Sequence, residues 1–242
     1  MKSTRISLAT LAFAGLALAA PAQADDKVGG YVGIDVGVSM APTEHYTILP
    51  NSTVPSPNPA ANSVAVKSKT GLDVAFIGGY DFGPIRAEVE VSRRSNKVGR
   101  IDSTAALPTR FNTAPAVPTT ATGAFAATTG SIRTRAIMFN LIGDLPVTDS
   151  LELFAGGGIG IADVRGRSIS VSPTATFLND TDKGFAWQLM SGVRVPLGEF
   201  AEISLKYKYF NTTGVHQVDT MNRLLGSNRS SHSVLGGVAL RF

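Results

Sequence analysis

The 242-residue chain contains no cysteine. Thiolate metal sites, redox dithiols and cysteine nucleophiles are therefore excluded. Charge is sparse, at 17% of residues, and 22 basic against 18 acidic side chains leave no nucleic-acid signature. The three histidines, His45, His216 and His232, stand too far apart in sequence for a local metal motif. Beyond residue 24 no apolar run approaches the ~18 residues that a membrane-spanning helix needs. No cofactor and no metal is expected from this inventory.

The one long apolar run lies at the start. Lys2 and Arg5 give a basic lead, residues 6–20 are apolar, and Ala22-Gln23-Ala24 has the small-residue cleavage pattern. Residues 1–24 read as a secretory signal peptide, with Asp25 opening the mature chain and Pro21 arguing against a membrane helix. Loss of Lys2 and Arg5 lowers the net charge from +4 to +2.

What the remainder does have is period-two alternation. In "VGGYVGIDVGVSM", Val28, Val32, Ile34, Val36, Val38 and Met40 share one face, while Tyr31, Asp35 and several glycines share the other. Residues 69–82 set Leu72, Val74, Phe76, Tyr80 and Phe82 against Asp73 and Asp81, and "DFGP" marks a tight turn. Residues 85–92 set Ile85, Ala87, Val89 and Val91 against Arg86, Glu88, Glu90 and Ser92. Five further runs follow, near residues 131–143, 151–165, 183–195, 201–210 and 230–242. That makes about eight strands of roughly 10–13 residues, close to the ~9–11 that a tilted strand needs to cross a bilayer.

The connections alternate in length. Those at 81–84, 144–150 and 196–200 are short, whereas 41–68, 93–130, 166–182 and 211–229 are long. The pattern predicts an all-β fold: an eight-stranded antiparallel transmembrane up-and-down β-barrel over residues 25–242, with short periplasmic turns and long extracellular loops. A soluble β-sandwich or lipocalin-like cup also alternates, but its polar face should be rich in Lys, Glu and Thr rather than Gly, Ala and Ser. Residues 51–63 and 105–129, rich in Pro, Ala, Thr and Ser, read as mobile loops.

The topology sorts the charges. The lumen face receives Asp35, Asp73, Glu88, Glu90, Glu152 and Glu202 against Arg86, Arg194, Lys206, Lys208 and Arg241. An unpaired charge in a narrow interior costs several kcal/mol, which a hydrogen-bonded partner offsets. An ion-pair network is therefore expected, with Glu88 and Glu90 engaging Arg194, Lys206 or Lys208. The alternative is that the same charges line a wet channel. Arg93, Arg94, Arg133, Arg135, Arg165 and Lys183 fall at the outer strand rims. There Arg133, Arg135, Arg165 and Lys183 could meet phosphate-bearing lipids of the outer leaflet, lipopolysaccharide included, because guanidinium binds phosphate bidentately. A solvated loop surface accounts for the rim equally well, and binding of an anionic host surface is a third reading.

Catalytic signals are thin. "AGGGIGIA" lies inside a strand, so it is no phosphate loop, and Gly156, Gly158 and Gly160 make room for lumen side chains. Ser230 and His232 sit at i and i+2 near the outer rim, but no carboxylate accompanies them in sequence.

The chain resembles the small outer-membrane β-barrels of Gram-negative bacteria, the OmpA/opacity-type porin family. The likeness rests on "YVGIDVGVS", "FIGGYDFGPIRAEVEVS", "LFAGGGIGIA", "FAWQLMSGVRVPL", "LKYKYFNT" and the terminal "HSVLGGVALRF" in this order. It implies insertion by the outer-membrane barrel assembly machinery, no enzymatic activity, and an envelope-structural or surface-antigen role. A narrow passive pore for small solutes and, further off, a lipid A-modifying enzyme are the alternatives, and the loops could carry a host or surface ligand. The last strand is expected to close the barrel against the first, with Val238, Leu240 and Phe242 forming the signal that, by the resemblance, the assembly machinery reads. No counterpart of the peptidoglycan-binding domain of full-length OmpA is read in this sequence, so a cell-wall tether is not expected.

Overall fold

The computed structural model describes residues 28–50, 60–111, 118–126, 129–148 and 150–242. The proposed signal peptide, residues 1–24, lies outside the described residues. In chain order the strands are β1 (Gly29–Met40), β2 (Glu44–Leu49), β3 (Ala60–Ser68), β4 (Gly71–Asp81), β5 (Ile85–Arg110), β6 (Thr119–Ala126), β7 (Thr129–Thr148), β8 (Leu151–Ser172), β9 (Ala175–Leu197), β10 (Ala201–Val218) and β11 (Leu224–Arg241).

Eight of them form a closed antiparallel ring in the order β1, β4, β5, β7, β8, β9, β10, β11, and β11 pairs back onto β1 from Tyr31↔Arg241 to Met40↔His232. Closure has a physical cause. In hydrocarbon every backbone N–H and C=O must find an internal partner, and a sheet achieves this only without edges. The alternating side chains then divide between two solvents. Phe76 is 61% exposed and Ile161 62%, whereas Glu90 and Lys208 are 0% exposed. Apolar outside and charged inside is the reverse of a soluble sandwich, so the exposed face is matched to lipid.

Short turns close one end. In "DFGP" the Phe82 N–H donates to the Ile85 carbonyl at 2.9 Å and the Gly83 N–H to Asp81 Oδ1 at 2.9 Å. Gly83 has φ 96°, a left-handed conformation that residues with a side chain rarely adopt. Tyr80, Phe82, Phe200 and Phe242 are exposed around this end, and Phe185 and Tyr207 mark the other, as interfacial aromatic girdles do.

The strands run longer than the alternation suggested: 26 residues in β5, 23 in β9 and 22 in β8. Most of the long connections are not loops but continuations of the barrel above the membrane. Where β1 and β4 stop, the β2–β3 hairpin takes their place, β2 pairing with β11 (Leu224↔Leu49 to Gly226↔Thr47) and β3 with β5. β6 adds to the far part of β5. This upper tier has an apolar core of its own, including Tyr46, Val64, Val66, Ile101, Leu107, Ile132, Ile169, Phe177, Leu178 and Leu225. Residues 60–63 and most of 105–111 and 118–126, expected to be mobile, are strand; 51–59, 112–117 and 127–128 lie outside the described residues.

The head core and the membrane ring are separate packing units. Truncating Phe177, fully buried in the head, should cost about 3–5 kcal/mol there. We expect Phe177→Ala to expose head sites such as Lys67 and Arg100 to trypsin while leaving the folded barrel's gel migration unchanged. Loss of folded migration would show that head and ring share one core.

Candidate functional site in the lumen and at the outer rim

Inward-facing positions of the ring place the charges in two levels. Near the short-turn end, Arg86 on β5 is the hub. Its Nε donates to Asp144 Oδ2 at 2.6 Å and its Nη1 to Glu202 Oε1 at 2.9 Å, and its Nη2 is 3.0 Å from Asp81 Oδ2. Arg194 on β9 donates to Asp144 Oδ1 at 2.7 Å and lies 2.9 Å from Glu202 Oε1. Arg241 on β11 donates twice to Glu202 Oε2, at 2.9 and 2.6 Å. Glu202 thus binds three arginines, and Glu152 completes the cluster at 3.4 Å from Arg86.

The second level lies nearer the outer side. Lys208 Nζ donates to Glu90 Oε1 at 3.0 Å and is 3.6 Å from Asp73, which accepts from Arg94 Nε at 2.9 Å. Glu90 Oε2 also takes the Gln188 amide at 2.9 Å. Lys206 Nζ donates to Asp35 Oδ2 at 2.7 Å, and Tyr31 Oη donates to Glu88 Oε1 at 2.8 Å. The Arg94 guanidinium lies 3.7 Å from the centre of the Phe210 ring, a cation–π contact, and its Nη2 is 3.7 Å from Glu90 Oε1. Phe154, Met190 and Ile142 form an apolar cluster, with Phe154 beneath the Arg194 guanidinium at 4.7 Å. Small residues make this density possible: a Cβ on Gly158 would fall 1.9 Å from Asn140 Oδ1, and one on Gly237 2.2 Å from Asp35 Oδ1.

The head carries charge pairs too. Arg229 donates to Glu44 inside it, and Tyr46 Oη donates to Glu44 Oε2 at 3.4 Å. Burial and the adjacent Glu44 carboxylate push the Tyr46 phenol above the ordinary tyrosine range, so it remains a donor. On its surface, the hydrogen bond from Arg100 holds the Asp102 carboxyl below its usual value.

The outer wall is different. Across β4, β5, β7, β8 and β9 one row of facing residues is Phe76, Val91, Ile137, Ile161 and Phe185, all apolar. The next row outward is Val74, Arg93, Arg135, Asp163 and Lys183, and the one beyond is Leu72, Ser95, Arg133, Arg165 and Thr181. Lys97, Ser131 and Arg167 follow. Arg93 directly faces Arg135, and Arg133 directly faces Arg165. None of these seven cations has a side-chain hydrogen bond or ion pair to another described residue, and Arg133 Nε is buried without a partner.

A profile of the outer membrane protein beta-barrel domain matches residues 8–242. The chain belongs to that family. Its place is the Gram-negative outer membrane. No curated protein matches the chain. Among solved structures it is similar to Neisserial surface protein A, at 13% identity and a TM-score of 0.54, over 88% of this chain and 97% of that one. OprG of Pseudomonas aeruginosa follows at 11% identity and TM-score 0.47, over 89% and 97%. The protease OmpT of Escherichia coli follows at 10% and 0.48, over 92% and 99%. At these identities the likeness shows the fold alone.

Against this barrel the sequence-derived residues fall as follows. Asp35, Arg86, Glu88, Glu90, Arg194, Glu202, Lys206, Lys208 and Arg241 all face the lumen, and Glu90 lies 3.0 Å from Lys208 Nζ. Two expected details are corrected. Glu88 accepts a hydrogen bond from Tyr31 and forms no ion pair with Arg194, Lys206 or Lys208: Arg194 lies at the lower level with Asp144 and Glu202, Lys206 pairs with Asp35, and Lys208 with Glu90. Arg94, placed at the rim by the sequence reading, is a lumen residue, because even positions along β5 point inward through Asn96. Asp81 and Asp144, assigned to the turns, also belong to the lower cluster. Arg133, Arg135, Arg165 and Lys183 do lie together on the outer wall, joined by Arg93, Lys97 and Arg167. His232 Nδ1 is 2.7 Å from Tyr207 Oη, and no carboxylate among the described residues contacts it or Ser230. Val238, Leu240 and Phe242 are lipid-facing, and the Phe242 N–H donates to the Gly30 carbonyl at 2.9 Å.

The hub is testable by heat. Removing one partner of a buried charge pair costs about 3–5 kcal/mol, whereas leaving a neutral donor unpaired costs about 1–3 kcal/mol. Glu202→Ala should therefore lower the temperature at which the barrel loses its folded gel mobility by more than Glu88→Ala does. The reverse order would contradict the pairing described.

Proposed function

We propose that this chain is a closed, non-enzymatic outer-membrane barrel that strengthens the envelope and presents a folded β-head at the cell surface. The observation that carries this reading is a lumen obstructed twice by unlike materials. Ion-paired side chains fill it inside the membrane, and an apolar core fills it above. Hydrated solutes meet first a dry plug and then a set of salt bridges that would have to separate. Each step opposes passage, because a water column needs continuous polar, unpaired surface. An eight-stranded barrel is in any case just wide enough for its own side chains.

Catalysis lacks an assembled constellation among the described residues. A hydrolytic site needs a nucleophile, a base and an orienting acid within hydrogen-bond reach. Ser230 and His232 have no such acid, and the His232 ring is engaged by Tyr207 and stacked near Tyr209, with centroids 5.1 Å apart.

Planar-bilayer recording of the refolded chain tests the reading. No stable openings are expected, and none is expected for Arg94→Ala combined with Lys208→Ala, because the head core stays shut. Stable openings of the unaltered chain would replace this reading with a passive pore for small solutes.

A further inference from the structure

The seven outer-wall cations present a problem that the lumen solves and the wall leaves open. On β5, Arg94 points inward and is paired, while Arg93, its immediate neighbour, points outward and is not. Like charges directly opposite across strands destabilise a sheet. Here two such pairs, Arg93 with Arg135 and Arg133 with Arg165, sit side by side, with Asp163 as the single carboxylate in their rows. A multivalent anion lying across them would turn repulsion into charge-assisted hydrogen bonds. Five of the seven are arginine, the side chain whose planar fork fits phosphate.

Alongside Arg93 and Arg135, which help to line it, is an apolar groove of about 580 Å³. Leu72, Val74, Phe76 and Val91 supply its apolar lining, and Arg93 and Arg135 stand midway along it in the row of Val74, with Ser95 one row further out. Val74 is the small member of the β4 outward face between Leu72 and Phe76, and it lies opposite Arg93. The groove lies in the lipid-facing wall and not in the head. A second, polar cleft of about 430 Å³ adjoins it outward, bordered by Lys69, Lys97, Arg133 and Arg167. It lies where β5 parts from β7 beyond Lys97↔Ser131.

We propose that this wall binds one phosphorylated glycolipid of the outer leaflet, lipid A. An acyl chain lies in the groove over Val74, one phosphate engages Arg93, Arg135 and Arg133, and the polar cleft takes the further phosphate of the same headgroup. The site deepens the rim expected from sequence: it adds Arg93, Lys97 and Arg167 to Arg133, Arg135, Arg165 and Lys183, and it supplies a pocket for the hydrocarbon. It rests on membrane placement and not on whether the lumen conducts. A soluble sulfated polysaccharide would satisfy the cations but leave the groove empty, so the joined apolar and basic surfaces favour a lipid.

The test uses the refolded full chain in detergent, with native mass spectrometry to count bound lipid and a titration to give affinity. The probes are bis-phosphorylated lipid A, the same lipid stripped of phosphate, and a soluble sulfated polysaccharide. One lipid A is expected to be retained. Arg93→Gln with Arg135→Gln should weaken it by on the order of tenfold or more. Val74→Trp, which fills the groove and leaves every guanidinium in place, should weaken it comparably. Lys67→Gln, on the head, should change nothing. Folded gel migration certifies each variant; if the double arginine variant does not fold, Val74→Trp and the stripped lipid still decide. Equal retention of the stripped lipid, or full binding by Val74→Trp, would overturn the proposal. Tighter binding of the polysaccharide than of lipid A would overturn it in favour of a sugar ligand.

Discussion

Everything in this molecule depends on the pairing of β1 with β11. That ladder removes the last free sheet edge, and without it the backbone polar groups of two strands would face hydrocarbon unpaired, at several kcal/mol each. Closure then fixes what the side chains can do. Each residue must point to lipid or to lumen, and a shift of one position would exchange the two faces completely. The buried ions follow from that constraint. Arg86, Arg194 and Arg241 come from three different strands and meet only because the ring brings them to one level, where Glu202 joins them.

The interior shows how charge is kept in a narrow space. Desolvating an arginine costs more than one salt bridge returns, and the lumen arginines Arg86, Arg94 and Arg194 each have several carboxylates within reach and a ring beside them. Arg86 has four carboxylates within reach, and Arg94 has two and the Phe210 face. The outer wall carries the same residue type without such company. The contrast separates charge that holds the barrel together from charge left available to something outside the chain.

Much of this was legible in the sequence. Strict alternation in residues 28–40 and 85–92 assigned Asp35, Arg86, Glu88 and Glu90 to the interior, because period two leaves a strand no choice of face. The pairing across the lumen was not legible: which acid meets which base depends on stagger around the ring, and Glu88 meeting Tyr31 has no local signature. The upper tier was missed for a different reason. Its strands break period at bulges, between Lys67 and Ser68, Gly166 and Ile169, and Thr212 and Val215, so its inward apolar residues do not line up in the sequence. Outside they meet water, and their Thr- and Ser-rich outer faces look like loop. Arg94 was misplaced because the alternation was stopped two residues early.

The β2–β3 hairpin has a consequence for the order of events. Leu49 pairs with Leu224, so β2, already joined to β3, finds its second neighbour only once β11 is in place. Contacts between segments so distant in sequence form late, because loop closure must precede their reward. The β2–β11 contact of the head therefore awaits the same strand that closes the ring against β1. One strand thus both seals the ring inside the membrane and anchors the hairpin above it.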